Sequence, residues 1–224
     1  MVTVEENDVV LRISLLLYKM LTHKYPNKIV KLTRDRDEFI SLEKRPEIAN
    51  NIPTKKNEAI IYISVHANSS ANRQANGFEV WYLTPTHRRE LIEPTAYNNE
   101  HEDIIPILNS MKEEEYTWES VILAKDILDS LNAVIGKSSE NRGLKEGRWF
   151  VVRKAKMPSI LIEVGFVSNK EEALALTSEN HLKKLSQAIY NGVVFRIFGK
   201  LGASRTLFPS CGKNQGSGRG ALSP

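Results

Sequence analysis

Two short, almost unbroken apolar runs, at 59–65 and 159–164, constrain this chain more than any other feature. A short apolar run that stops abruptly at polar residues fits a strand buried on both faces of a sheet. A third run, 78–83, is rich in aromatic and β-branched residues and predicts another strand. Helical spacing surrounds these strands. Val10, Ile13, Leu17, Met20 and Leu21 share one face of a first helix, with Asn7 or Asp8 available as its cap. Val121, Ile122, Ile127, Leu128, Leu131 and Ile135 mark a long helix closed by Gly136, and Leu182, Leu185, Ile189, Val193 and Ile197 mark a last one over about 179–198. Further strands are predicted at 28–33 and 149–153, and a helix over 39–49 that Pro46 bends or divides. Strands alternating with helices imply a layered α/β fold, with a mostly parallel or mixed central sheet flanked by helices. Sites in such sheets gather beyond the carboxyl ends of the strands.

The 224 residues, 41% apolar and 26% charged, suit one domain, placed at 1–201. Two segments stand apart from it. The stretch 85–118 is crowded with charge, including Glu113-Glu114-Glu115, and reads as an insertion rather than core; 202–224 is rich in Gly, Ser and Pro and is expected to be disordered. No apolar run is long enough for a transmembrane segment, because 9–21 is interrupted by Arg12, Ser14, Tyr18 and Lys19. Residues 1–8 hold three acids and no basic region, so as written they do not begin a signal peptide. Cys211 is the single cysteine, so a metal would have to rest on His, Asp and Glu. The net charge of +4 does not point to nucleic acid: Arg196, Lys200, Arg205, Lys213 and Arg219 lie in a stretch without acids, and the remaining body is about neutral.

His66 follows one buried run and Glu163 sits near the carboxyl end of the other, in Ile160-Leu161-Ile162-Glu163-Val164-Gly165-Phe166. An acid inside an apolar strand is costly unless paired, hydrogen-bonded or metal-linked. For Glu163 the plain alternative is a salt bridge to Arg142 or Arg153; for His66 it is a structural histidine. Glu5 and Glu6 precede the first helix, where the dipole favours a carboxylate. Brought together, Glu and His are suitable zinc ligands.

The phrase Glu6-Asn7-Asp8-Val9-Val10-Leu11 resembles the ligand-bearing segment of zinc-dependent N-acetylmuramoyl-L-alanine amidases. So do Thr33-Arg34-Asp35, Ser64-Val65-His66-Ala67-Asn68, Asn76-Gly77-Phe78-Glu79-Val80-Trp81-Tyr82-Leu83, Arg142-Gly143-Leu144, Trp149-Phe150-Val151-Val152-Arg153, and the stretch from Met157-Pro158-Ser159 through Glu163 to Val167-Ser168-Asn169. Each phrase is weak alone; their consistent order over about 5–198 is strong.

That resemblance implies hydrolysis of the amide between N-acetylmuramic acid and the L-alanine of the peptidoglycan stem peptide. It makes Glu6 and His66 zinc ligands and Glu163 the catalytic carboxylate, with zinc polarising the carbonyl while Glu163 takes a proton from water and passes it to the leaving amine. Asn68 and Arg142 are candidates for orienting substrate, though each equally fits a loop-holding role. The family's opening strand and its histidine ligand are not in this sequence, which predicts a weak metal site and a less stable fold. His23, His87, His101 and His181 are the substitutes to consider, with His101 the best placed. The resemblance also implies a periplasmic or extracellular enzyme and an activator protein acting on the 85–118 insertion as a lid over the zinc site. The alternatives are an inactive wall-binding or partner-binding module and, more remotely, a metal-dependent peptidase.

Overall fold

The computed structural model describes residues 4–92 and 104–198. Its elements, in chain order, are α1 (Glu6–Lys24), α2 (Lys44–Asn50), β1 (Tyr62–Asn68), β2 (Phe78–Leu83), α3 (Ile105–Ile135), β3 (Asn141–Gly147), α4 (Phe150–Lys154), β4 (Ser159–Phe166), α5 (Lys170–Thr177) and α6 (Glu179–Phe198). The sheet has the order β1-β4-β2-β3. β1 runs parallel to β4, and β2 parallel to β3, but β2 and β4 are antiparallel, so the sheet is mixed. The two apolar runs seen in the sequence are neighbours, β1 and β4, and every residue of β4 is buried.

Register divides the sheet into two faces. Ile160, Ile162 and Val164 of β4, with Phe78 and Val80 of β2, face a large core formed with α1, α3 and α6. There the helical stripes predicted by spacing close on one another: Val9, Ile13 and Leu17 from α1, Leu123, Ile127 and Leu131 from α3, and Leu182, Leu185 and Ile189 from α6. Full burial of each such side chain stabilises by roughly 1.5–3 kcal/mol. α3 and α6 approach so closely that a Cβ on Gly192 would lie 2.6 Å from the Ile127 Cα. The opposite face carries a smaller core, in which Tyr62, Leu161 and Leu83 meet Ala49 of α2, Val151 and Val152 of α4, and Ala155 and Met157. That cover ends before the carboxyl ends of β1 and β4.

Several expectations are corrected. The stretch 28–33 joins no sheet among the described residues, and Ile29 is exposed. The strand expected at 149–153 is instead helix α4 (Phe150–Lys154), with Trp149 as its N-cap residue; so short an apolar run is ambiguous by pattern alone. β3 was hidden by its composition, with two glycines and three charges in seven residues. Its pairing with β2 shifts register at Gly143, whose φ of +90 suits a bulge. The helix expected over 39–49 begins only at Lys44, and Pro46 sits in its first turn, where no N–H is required. α1 begins at Glu6, ahead of the predicted caps, with Glu5 as an extended N-cap residue that makes no side-chain cap bond.

The largest correction concerns 85–118. Its second half is the beginning of α3, a single 31-residue helix. Glu113 is fully buried and pairs with Arg89, which is also buried. Arg89 Nε donates to Glu113 Oε1 at 2.9 Å, and Nη1 donates to the Ala155 and Met157 carbonyls at 2.8 and 3.2 Å. Asn109 continues the clasp, donating to Arg89 O and accepting from the Leu91 and Ile92 N–H groups. The Arg89–Glu113 pair is therefore a buried polar clasp, while Glu114 and Glu115 beside it are exposed. The clasp holds Ser159, the first residue of β4, at the far end of that strand from Glu163. Residues 93–103, with His101, and the predicted tail at 202–224 lie outside the described residues.

Candidate functional site

His66 and Glu163 are direct register partners on β1 and β4, and Glu163 is in turn the partner of Glu79 on β2. Three adjacent strands thus present His66, Glu163 and Glu79 in one row on the same face, at the carboxyl ends of β1 and β4 where the smaller core stops. The row is bounded by a bulge: the pairing that runs His66 with Glu163 resumes with Asn68 opposite Phe166, one residue longer on β4. Gly165, at φ +149, supplies the backbone conformation needed there. Glu172 of α5 fastens the bulge, accepting from Phe166 N at 2.8 Å and from Gly77 N at 2.9 Å, and so ties the end of β4 to the start of β2.

Glu6 reaches this row from the first turn of α1. Its Oε1 lies 3.0 Å from His66 Nδ1 and accepts the Ala67 N–H at 3.4 Å. On the other side of the ring, His66 Nε2 and Ser64 Oγ are 2.9 Å apart, so both ring nitrogens have fixed partners. Burial alone would raise the Glu6 carboxyl, but the His66 hydrogen bond and charge, with the Ala67 N–H, hold it below the usual carboxylate value.

Glu163 is treated differently. It is 6% exposed, and its buried Oε2 has no hydrogen-bond partner. Burial, followed by the negative charges of Glu6 and Glu79, pushes its pKa up to about 8. The salt bridge to Arg142 or Arg153 that would have made it structural is not formed: Arg142 pairs with Glu79, and Arg153 stacks on the Phe150 ring at 5.1 Å. A carboxyl that stays protonated near neutrality, beside a carboxylate–imidazole pair, is equipped to give and take a proton.

Glu79 is the residue that sequence reasoning missed. It is 2% exposed and accepts from Arg142 Nε at 2.8 Å, Trp81 Nε1 at 3.0 Å and Asn68 Nδ2 at 3.3 Å, with Lys145 Nζ as a fourth donor. Burial works to raise its pKa, and the Lys145, Arg142 and Trp81 hydrogen bonds outweigh it, so Glu79 is held ionised. Asn68 and Arg142, the two predicted substrate-orienting residues, thus meet at this carboxylate. The signal that identified Glu163, an acid within an apolar predicted strand, was also present at Glu79.

Among the described residues no group of three or more His, Cys, Asp or Glu side chains is arranged to hold a metal ion. Glu6 and His66 form a two-donor pair, and neither His23, His87 nor His181 joins it.

Residues 2–194 match the family described as N-acetylmuramoyl-L-alanine amidase. The chain is 30% identical over 199 residues to the N-acetylmuramoyl-L-alanine amidase AmiC of Escherichia coli, covering 84% of this chain and 46% of that longer protein. Among solved structures it is similar to the amidase AmiC2 of Nostoc punctiforme, with a TM-score of 0.61 at 28% identity over 84% of this chain and 82% of that one. The catalytic domain of the amidase CwlV from Paenibacillus polymyxa superposes with a TM-score of 0.60 at 25% identity, covering 84% and 83% of the two chains. With the family matched along most of the sequence and its fold reproduced, this chain belongs to the N-acetylmuramoyl-L-alanine amidases, enzymes that hydrolyse an amide bond of peptidoglycan.

Proposed function

We propose that the row His66–Glu163–Glu79 is the reaction centre for hydrolysis of the amide between N-acetylmuramic acid and L-alanine, with Glu163 as its acid–base group. The observation that carries this reading is the unpartnered, buried Oε2 of Glu163, an acid kept in an apolar strand without the ion pair that would make it structural. As base, Glu163 would accept a proton from the attacking water; as acid, it would return that proton to the leaving amine. A pKa near the working pH serves both halves. The location proposed for this work is the periplasm or the cell exterior, where peptidoglycan lies. Among the described residues no helix is long and apolar enough to cross a membrane.

Zinc is proposed as the cofactor, with Glu6 Oε1 and His66 Nδ1 as donors. Their chemistry suits the ion, and their 3.0 Å approach supports a shared site. The Ser64 hydroxyl at Nε2 would fix the ring orientation, the usual job of a residue behind a histidine ligand. When bound, zinc would supply a Lewis acid that polarises the scissile carbonyl and a positive charge that lowers nearby pKa values. A catalytic zinc site normally draws three protein donors, so this pair alone should bind zinc weakly.

The lid reading of 85–118 gains no support from its described part, because the Arg89–Glu113 clasp grips the opposite end of β4. An activator acting through that segment therefore stays a sequence-based expectation.

The test is Glu163→Gln assayed on purified peptidoglycan in the presence of zinc. Release of intact stem peptides should be lost while zinc content is unchanged. A variant that still releases them at the rate of the unsubstituted chain would remove Glu163 from the chemistry. Binding to sacculi without any cleavage by the unsubstituted chain would instead favour a wall-binding module.

A further inference from the structure

Glu79 does more than fill a buried position. Its single negative charge is matched by two positive ones, Arg142 and Lys145, both on β3 at the rim of the row. The carboxylate is already saturated by four donors, so the two cations carry one more unit of charge than Glu79 matches. Neither cation is buried: their side chains are 29% and 31% exposed, against 3% for Glu79. Arg142 is further fixed by donating Nη1 to the Asn76 carbonyl at 3.2 Å and by stacking over the Phe166 ring at 5.1 Å. Lys145 is held over the Trp81 ring at 5.3 Å. Each long side chain is thus ordered before a ligand arrives, which removes much of the entropic cost of binding one.

We infer that Arg142 and Lys145, aligned by Glu79 as a positioning residue, form a subsite that takes a carboxylate of the substrate's peptide portion. Both charged side chains are part-exposed, and paired cations on a rigid strand suit a carboxylate better than a neutral amide. The identity of the ligand rests on the amidase reading above; the charge preference does not.

The experiment measures binding, with turnover stopped by Glu163→Gln, of an N-acetylmuramoyl-alanyl-glutamate and of the same compound with its carboxyls converted to carboxamides. Trp81 fluorescence and calorimetry both read it. The acid form should bind about tenfold more tightly than the amide form, with a gap that narrows as salt is added. Lys145→Gln should erase the gap, and Lys145→Arg should keep it. Equal affinity for the two compounds before any change at Lys145, or loss of both alike in Lys145→Gln with Lys145→Arg restoring neither, would overturn the subsite. A peptidoglycan digest with the unsubstituted chain separates the two ideas. Charge preference without cleavage removes the amidase activity and leaves the subsite standing; cleavage without charge preference removes the subsite alone.

Discussion

β4 carries a buried glutamate problem at each end, and the two ends solve it in opposite ways. At its beginning, Glu113 from α3 is enclosed with Arg89, whose guanidinium also serves two backbone carbonyls. At its end, Glu163 is almost as buried, yet one of its oxygens has no partner and its neighbours in register are a histidine and a second acid. Satisfied, a buried carboxylate fixes structure; left unsatisfied, it keeps an unstable charge state that chemistry can use. Glu79 stands between these cases, since it is saturated like Glu113 but lies in the row with Glu163.

That contrast can be broken at either end. The largest expected effect is on catalysis: Glu163→Gln should lower the rate of stem-peptide release by roughly 10²- to 10⁴-fold, the usual weight of a general acid–base group. A rate assay on purified peptidoglycan checks it, and a decrease below tenfold would place Glu163 with the structural acids. Next is stability at the other end. Glu113→Ala strands Arg89 in the core and should destabilise by about 3–5 kcal/mol in denaturant titrations, the range for removing one partner of a buried pair. Activity per folded molecule should be unchanged. A deletion running from 93 to 115 would remove Glu113 with it, and loss of folding there would say nothing about a lid.

A smaller effect is the pH dependence of the metal-free chain. Glu163 keeps its proton to about pH 8 when folded, against an ordinary value of 4.5, so between those values the folded state binds more protons than the unfolded one. Stability should therefore be fully present below about 4.5, fall as pH rises through this window, and level off above about 8, by on the order of a few kcal/mol in total. Glu163→Gln should flatten that slope; an identical slope in the variant would assign it to other groups. Smallest is Gly192→Ala, which forces a Cβ to 2.6 Å from the Ile127 Cα at the crossing of α3 and α6. It should cost about 1–3 kcal/mol, seen as a lower Tm with the pH slope intact.

How far the sequence exposed all this depended on whether a local pattern matched the environment that decided the outcome. β4 was legible because both its faces are buried and its apolar run is nearly continuous; β1, only partly buried at the edge of the described sheet, was legible from its apolar run alone. α6 was legible because its stripe has one core to face. β3 was not, since its glycines serve a bulge and its charges serve a neighbouring carboxylate, and neither leaves an alternating pattern. The first half of α3 was misread for a related reason: a run of three glutamates looks solvated, and only tertiary contact with Arg89 shows one of them to be buried. Within the site, Glu6, His66 and Glu163 stood out as acids or histidine at strand and helix ends. Ser64, two residues before His66 on the same strand, and Glu79, an acid in a strand like Glu163, went unread; Lys145 did not stand out because its role arises from the pairing of β3 with β2, which no single segment contains.

The account depends on Glu163 being a buried acid without a partner, and its side-chain carboxyl can be followed directly by carbon-detected NMR titration of the metal-free chain. A midpoint near pH 8, moving downward when zinc is added, is the predicted result. A midpoint near the ordinary 4.5 would mean that Glu163 is solvated or paired, and the case for it as the proton carrier would fail.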